Sequence, residues 1–503
     1  MSSQVRRLKH SSLLAALLSM MWLNLTACEP AAPSKESAGE AQTVHQNTSS
    51  SEIYDTSPVD VLIVGGGLSG LSTAYHLQKA GISYRILELA PRVGGRVRTG
   101  KYPEKTHAEV GLAEFWDGNP ALEIVKDLKV PMERVDTGFS SYIFDGKLIP
   151  FSGKTNQEYL AKVLGPSDYK LYQAWDQKML KLQHDLEDGE PGPELMKLKE
   201  ISFEDWLKQE KLPAKAIHFI RAVLDPEIGS SIARISALDG IAEWHIFSGE
   251  GAQPNHVVGG NQNLTEAIAD KVGRQQIHVN TQVTNVIDTA EGVEVRAMDT
   301  SNYQNRTYKA KYVVMAIPLF RMFEIQFVPR LSDSVYQAVH TQGWGSYFTA
   351  HVSLDKAAEK FWQGADTLPL LTSSALGVMY PGNSPEGADT VMVNHLVTGD
   401  FAEMFNARTM SLDDVQKQLE ETYEKTFPGI KKMIRKWTFY RYHPRAIASW
   451  PVGRSRFDEL SNSLRKAHGH IYFGGDYTES SHSDGAVISA KRVSSQIAKA
   501  MGK

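Results

Sequence analysis

The chain predicts an α/β protein in which a Rossmann-type dinucleotide-binding domain is interleaved with a second domain of mixed sheet and helices. Three observations predict it. A short apolar strand, Val59 to Val64, runs straight into Gly65-Gly66-Gly67-Leu68-Ser69-Gly70, and a helical pattern through Leu71, Ala74 and Leu77 follows until Gly81. A second strand, Tyr84 to Leu87, ends on an acid, Glu88, 18 residues after Gly70. Strand signals lapse into a charged, helically periodic stretch, then return and close on a strand and a final helix near the C-terminus.

Each part of the opening unit has a physical task. Gly65 permits the tight turn, Gly67 lets backbone approach a pyrophosphate, and Gly70 lets the helix pack closely on the strand. The unpaired N–H groups of the helix start, at Leu68 and Ser69, then face the phosphates. Glu88 is placed to accept hydrogen bonds from ribose hydroxyls, which disfavours a 2′-phosphorylated nucleotide.

Further along, Ile201 to Leu212 and Ala216 to Leu224 carry helical periodicity. Gln276 to Val279, Gly292 to Val295, Tyr312 to Ile317 and Tyr347 to Leu354 read as strands, and Ala486 to Met501 as the last helix. The expected organisation is therefore nucleotide-domain segments at 59–119, 251–320 and 451–503, a helical subdomain at 120–250 and the rest of the second domain at 321–450.

Composition narrows the function. Lys+Arg is 54 against Asp+Glu at 58, a formal charge of -4, which gives no electrostatic footprint for nucleic acid. At the N-terminus Arg6, Arg7 and Lys9 precede an apolar run, Leu13 to Leu23, that is short for a membrane span and has the layout of a secretory leader. The run ends in Leu25-Thr26-Ala27-Cys28, which resembles a bacterial lipobox. Residues 1–27 are thus expected to be a lipoprotein signal peptide, Cys28 the acylated residue, and 28–58 a polar tether to the lipid bilayer. Glu29 follows Cys28, so the expected location is an exported, membrane-anchored lipoprotein, on the periplasmic side of the outer membrane in a Gram-negative source. Cys28 is the sole cysteine, which leaves no disulfide, no thiolate catalyst and no cysteinyl flavin link.

Arg92-Val93-Gly94-Gly95-Arg96-Val97-Arg98-Thr99 follows directly after Glu88 and resembles the second dinucleotide signature of the flavin amine oxidase family. The likeness returns at Ile471-Tyr472-Phe473-Gly474-Gly475-Asp476 and Asp484-Gly485-Ala486-Val487, and in between at Val258 to Leu264 and Thr281 to Ile287. It implies a Rossmann-type FAD-binding domain interleaved with a mixed-sheet plus helical substrate domain. It also implies FAD contacts from Arg92, Gly95 and Arg96 near the diphosphate, and from the Val283 backbone at adenine. Gly475 and Asp476, which replaces the usual Glu, would face the ribitol, and Ala486 and Val487 would lie beneath the flavin ring at a helix N-terminus.

Members of that family move hydride from a carbon next to nitrogen to flavin N5, giving an imine, so the resemblance implies an FAD-dependent amine oxidoreductase acting on a small amine. Three positions depart from the pattern. Thr349 stands where relatives carry a lysine, Trp450 stands at or beside one position of their aromatic cage, and His482 stands at the other. Trp450 is the candidate flavin-facing aromatic. His482 has two readings, a neutral base for substrate or a cation beside reduced flavin. Two other functions stay open on these motifs. Asp476-Tyr477 and Trp450-Pro451-Val452-Gly453 also resemble the protoporphyrinogen oxidase and desaturase branches, and a non-catalytic FAD electron-transfer lipoprotein fits the cofactor motifs alone.

Overall fold

A computed structural model describes residues 55–503 except 103–106, 135–140, 145, 152–154, 188–190, 248–251, 363–367 and 383–386; the signal segment, Cys28 and most of the tether lie outside the described residues. The strand Val59–Val64 alternates sides as its pattern requires. Val61 and Ile63 enter one core with Leu71 and Leu77 of the helix Leu68–Lys79 and Val493 and Ile497 of the closing helix Ser483–Ala500. Leu62 and Val64 enter a second core with Val295 and Phe327. A strand that is apolar on both faces therefore lies at the centre of a sheet covered on both sides.

That sheet has eight strands. Ile277–His278, Tyr84–Leu87, Val59–Val64 and the end of Gln304–Met315 run parallel in that order, with Ile471–Phe473 parallel on the far side of Gln304–Met315. The first half of the long strand Gln304–Met315 instead continues an antiparallel ladder with Gly292–Asp299 and Thr281–Thr289. One strand thus joins the nucleotide fold to the meander that brings Val283 to it.

A second sheet of seven strands is built around Gly343–Asp355, which lies between Ile434–Ser449 and Thr390–Thr398. Phe348, Ala350, Val352 and Leu354 point to a core with Val415, Leu419 and Tyr423 of the helix Leu412–Thr426. The odd positions, among them Thr349 and His351, take the opposite face. A third core of aromatic and aliphatic residues holds the helices between Asn156 and Glu243 together.

The expected domain borders shift in three places. The helix Ala121–Leu128 is not part of the helical subdomain, since Ala121, Ile124 and Val125 pack in the first core. The strands Ser141–Phe144 and Lys147–Ile149 extend the second sheet. Gln326–Val328 pairs with Thr281–Thr289, and the helix Asp333–Thr341 buries Val335, Ala338 and Val339 in the second core, so residues 326–341 belong with the nucleotide domain. Local periodicity identified these elements but carries no information on which neighbour buries their apolar faces.

Two glycines permit the opening turn. Gly65 has φ +108°, and a Cβ there would lie 2.5 Å from the carbonyl oxygen of Ala316. A Cβ on Gly70 would overlap the carbonyl oxygen of Gly65, so the helix could not seat against its strand. Gly70→Ala is expected to destabilise the protein by about 1–3 kcal/mol, read as a lowered midpoint of thermal unfolding by circular dichroism.

Candidate active site

The turn and its helix leave an open, electron-poor groove. Gly67 caps the helix Leu68–Lys79 in extended conformation, without a capping side chain and with no acid in the first turn, so the helix dipole and N–H groups are free for an anion. Gly67 faces Gly95, whose φ of +54° lets the Arg92–Thr99 loop approach it, and Gly94 N–H donates to the Gly66 carbonyl at 2.8 Å. Glu88 closes one end, with its carboxylate accepting from Gly66 N–H at 2.6 Å and Ala90 N–H at 2.7 Å. Burial pushes this carboxyl above its ordinary range, against the pull of those two N–H groups. Thr281 N–H donates to the Glu88 carbonyl at 2.8 Å, which brings the bulge after Val283 alongside.

The closing helix supplies a second N-terminus. His482 caps Ser483–Ala500 without a side-chain bond, and Ala486 and Val487 lie in the first turns, with Val487 fully buried in the first core. Ser69 Oγ and Ser489 Oγ are 3.2 Å apart, and Ser489 Oγ accepts from Gly475 N–H at 2.9 Å, so both helix starts and the Gly475 turn converge. A glycine cradle, two helix N-termini without capping side chains and a carboxylate at a strand end fit a dinucleotide with a negatively charged edge at its far side.

Two of the cofactor candidates also bond within the protein. Arg92 donates to the carbonyls of Val93 and Gly95, both at 2.8 Å, and so braces the loop from within. Arg96 forms a bidentate pair with Asp476, both bonds at 2.6 Å, and reaches the Ala446 carbonyl at 2.7 Å. Its planar fork matches the Asp476 carboxylate. The pair fixes Asp476 in the groove.

Trp450 is corrected. It is 1% exposed in the second core, its indole N–H donates to Ser461 Oγ at 3.1 Å, and the Arg456 guanidinium lies 4.7 Å from its ring centre. The residue is a packing tryptophan, as a large ring next to a proline-ended strand favours. Thr349 lies in the second sheet opposite Leu396, 3% exposed, with its hydroxyl unbonded among the described residues.

His482 is held as a cation. Its Nε2 lies 2.8 Å from Glu243 Oε2, and although burial would lower its pKa, the Glu243 carboxylate, with Glu227 and Asp484, raises it to about 9. Glu243 in turn is bonded by Arg456 and by Ser481 Oγ at 2.7 Å. Burial would raise the Glu243 carboxyl, but Arg456 and His482 override it and hold the group well below its ordinary range. The neutral-base reading of His482 is therefore replaced by the cationic one.

Beside this groove lies a cavity of about 780 Å³. Among the described residues its wall carries Glu109, Glu114, Glu133, Asp176 and Glu227 against a single arginine, Arg134, which pairs with Asp117 at 3.3 Å. Trp116, Tyr172, Phe219, Trp244 and Tyr380 add aromatic faces. Leu396 and Asn394, cross-strand partners of Thr349 and His351, connect the inner face of the second sheet to it. His351 Nδ1 is 2.7 Å from Asn394 Oδ1, and burial lowers its pKa to about 4. Among the described residues no cluster of metal-ligating side chains occurs, and no helix is long and apolar enough to cross a membrane.

Sequence reading missed Glu227, Glu243 and Arg456. A signal existed for the first. Ile220, Val223 and Leu224 mark the inward stripe of the helix Ala214–Ile228, and Glu227 stands three residues further along it, a carboxylate on an apolar face.

Comparison with known proteins agrees with this geometry. The family described as flavin containing amine oxidoreductase matches residues 68–498. A flavin-containing amine oxidase of Danio rerio is 24% identical over 88% of this chain and 86% of its own. Amine oxidase B of Bos taurus is 26% identical over 89% and 88%. Among solved structures, a putrescine oxidase bound to putrescine superposes with TM-score 0.74 at 22% identity, covering 88% of this chain and 99% of that one. Cyclohexylamine oxidase from Brevibacterium oxydans gives 0.69 at 19%, covering 88% and 100%.

The assignments separate two variants. Glu88→Ala is expected to purify with a several-fold lower ratio of flavin to protein absorbance. Trp450→Phe should keep full flavin and its rate of reduction while losing about 1–3 kcal/mol of stability, measured by denaturant unfolding.

Proposed function

This chain belongs to the flavin-containing amine oxidoreductase family, and on that premise we propose that it oxidises small amines that are cationic in water, at the carbon next to nitrogen. It is an FAD-dependent oxidoreductase. The observation that carries the substrate reading is the cavity wall of five carboxylates and one arginine beside the dinucleotide groove. Such a wall attracts ammonium ions and concentrates them, and the aromatic faces hold both the cation and the alkyl chain. The same wall argues against the polyene and tetrapyrrole alternatives, whose apolar surface would strip water from carboxylates without pairing them. An electron carrier would have no use for a cavity of about 780 Å³ lined by carboxylates and aromatic rings.

The residues divide the work. Glu88, Gly67 and Gly95 would hold the nucleotide end of FAD, Asp476, fixed by Arg96, would serve its ribitol, and the Ser483–Ala500 N-terminus would face its ring. When bound, FAD supplies a two-electron hydride acceptor. His482, held positive, adds a fixed charge that favours an anionic form of the ring edge. The carboxylate wall orients the amine, and the aromatic faces shield its alkyl chain from water.

Under anaerobic conditions, primary amines and diamines are expected to bleach the flavin absorbance of the purified protein, while neutral alcohols and polyprenoid compounds leave it yellow. Bleaching by the polyprenoids alone would sink the amine reading.

We place the enzyme outside the cytoplasm on a lipid anchor. The support is the cationic start, the apolar run Leu13 to Leu23 and Leu25-Thr26-Ala27-Cys28 ahead of a polar tether. Cys28→Ala is expected to move the protein from the membrane pellet to the soluble fraction after cell lysis, and an unchanged pellet fraction argues against acylation.

A further inference from the structure

Hydride can leave the carbon only if the neighbouring nitrogen has a free electron pair to form the C=N bond. An alkylammonium, which titrates near ~10, arrives without one. Something in the cavity has to take its proton, and five carboxylates line the wall.

Three of them face a partner and a fourth is exposed to solvent. Glu109 accepts from Asn261 N–H at 2.8 Å and Thr99 Oγ1 at 3.0 Å. Glu114 lies 3.7 Å from His256. Asp176 faces the Trp244 indole N–H at 3.4 Å, and Glu133 is on an exposed strand. Glu227 differs. It stands at the end of the helix Ala214–Ile228, where Phe219, Val223, Pro226 and Glu227 form one stripe of cavity wall, and no donor is bonded to its carboxylate among the described residues. Its own carbonyl accepts from the Tyr347 hydroxyl at 2.6 Å, which locks the helix end to the strand Gly343–Asp355, two residues from Thr349.

We infer that Glu227 is the proton acceptor for the substrate ammonium, an inference that rests on the amine reading of the cavity. One N–H bond of the ammonium breaks and its electron pair stays on nitrogen. The proton goes to a Glu227 carboxylate oxygen, so a cation and an anion become a neutral amine and a neutral carboxylic acid. Hydride departure from carbon then uses the freed nitrogen pair, and no further oxidant or reductant enters the step.

The surroundings favour this transfer. Burial raises the Glu227 carboxyl to about 7; His482 pulls it down, while Glu114 and Glu243 push it up. The Tyr347 hydroxyl, itself raised well above its ordinary value by burial, is the remaining titratable group facing it. The same burial, with His482 positive, disfavours the ammonium form of a seated substrate. Both shifts narrow the gap between an ammonium and a carboxyl in water, until a neutral pair is competitive with an ion pair. The sign for pH is direct: the acceptor form exists above about 7 and is lost below it. In stability the order reverses, because a buried carboxyl with a raised pKa favours the folded state less as pH rises from its unfolded value through the folded one.

The test is the pH profile of anaerobic flavin reduction by a primary amine, for wild type and Glu227→Gln, each with its bound flavin. Wild type is expected to rise with a midpoint near neutral pH. Glu227→Gln is expected to be about 100-fold slower at pH 7, to shift its midpoint toward that of the free amine, and to converge with wild type near pH 10, where the amine arrives neutral. Glu227→Asp should recover part of the pH 7 rate. As a second readout, tert-butylamine, which has no hydrogen on the carbon next to nitrogen, should produce a carboxylic acid C=O band in infrared difference spectra of wild type at pH 8 and none in Glu227→Gln. A loss of equal size at pH 7 and pH 10, or no band in wild type, overturns the assignment while leaving amine oxidation intact. No bleaching of wild type by any amine overturns both.

Discussion

Arg456 is buried, and so are both carboxylates it binds. Its Nε lies 2.8 Å from Asp239, its terminal nitrogen binds Glu243, and Glu243 continues to His482 at 2.8 Å. Asp239 and Glu243 come from the helical subdomain, Arg456 from the segment after the second sheet, and His482 from the start of the closing helix. The network therefore joins the helical subdomain to the C-terminal segment of the nucleotide domain at one point. Charges taken this far from water are tolerable only when paired and hydrogen-bonded, and loss of one partner costs on the order of 3–5 kcal/mol. Such a junction resists slippage better than an apolar contact, because any displacement leaves a charge unpaired.

The network also sets the chemistry around it. Glu243, held below its ordinary range by Arg456, raises the pKa of His482 and so favours its charged form at the closing helix. That charge adds to the helix dipole at the start of Ser483–Ala500 and biases Glu227 on the cavity side. Trp450 belongs to the same construction. Its ring lies against Arg456 and its N–H on Ser461, so its burial supports the junction.

The fold was legible where a local rule has one solution. A strand ending in Gly65-Gly66-Gly67, a helix and a strand ending in Glu88 form one closed unit, and the turn sterics at Gly65 and Gly70 explain why those residues appear. The domain borders were less legible, because the helices Ala121–Leu128 and Asp333–Thr341 look like any amphipathic helix until the core that receives them is known. Motifs in the sequence pointed to Glu88, Asp476, Val283 and the closing helix as candidates. None pointed to Glu227, Glu243 or Arg456, since each gains its meaning from partners more than a hundred residues away or from a cavity no local pattern describes.

The sequence by itself determined the dinucleotide-binding unit, the cofactor class, and the presence of an inserted helical region, because hydrophobic period and glycine sterics act over a few residues. Tertiary structure alone decided which polar side chains are charged and which are free. Protonation follows burial and neighbouring charge, and both are properties of packing. Trp450 became core, His482 became a fixed cation, Arg96 took Asp476 as its partner, and a glutamate on an ordinary helix came to face an acidic, aromatic cavity with no donor bonded to it.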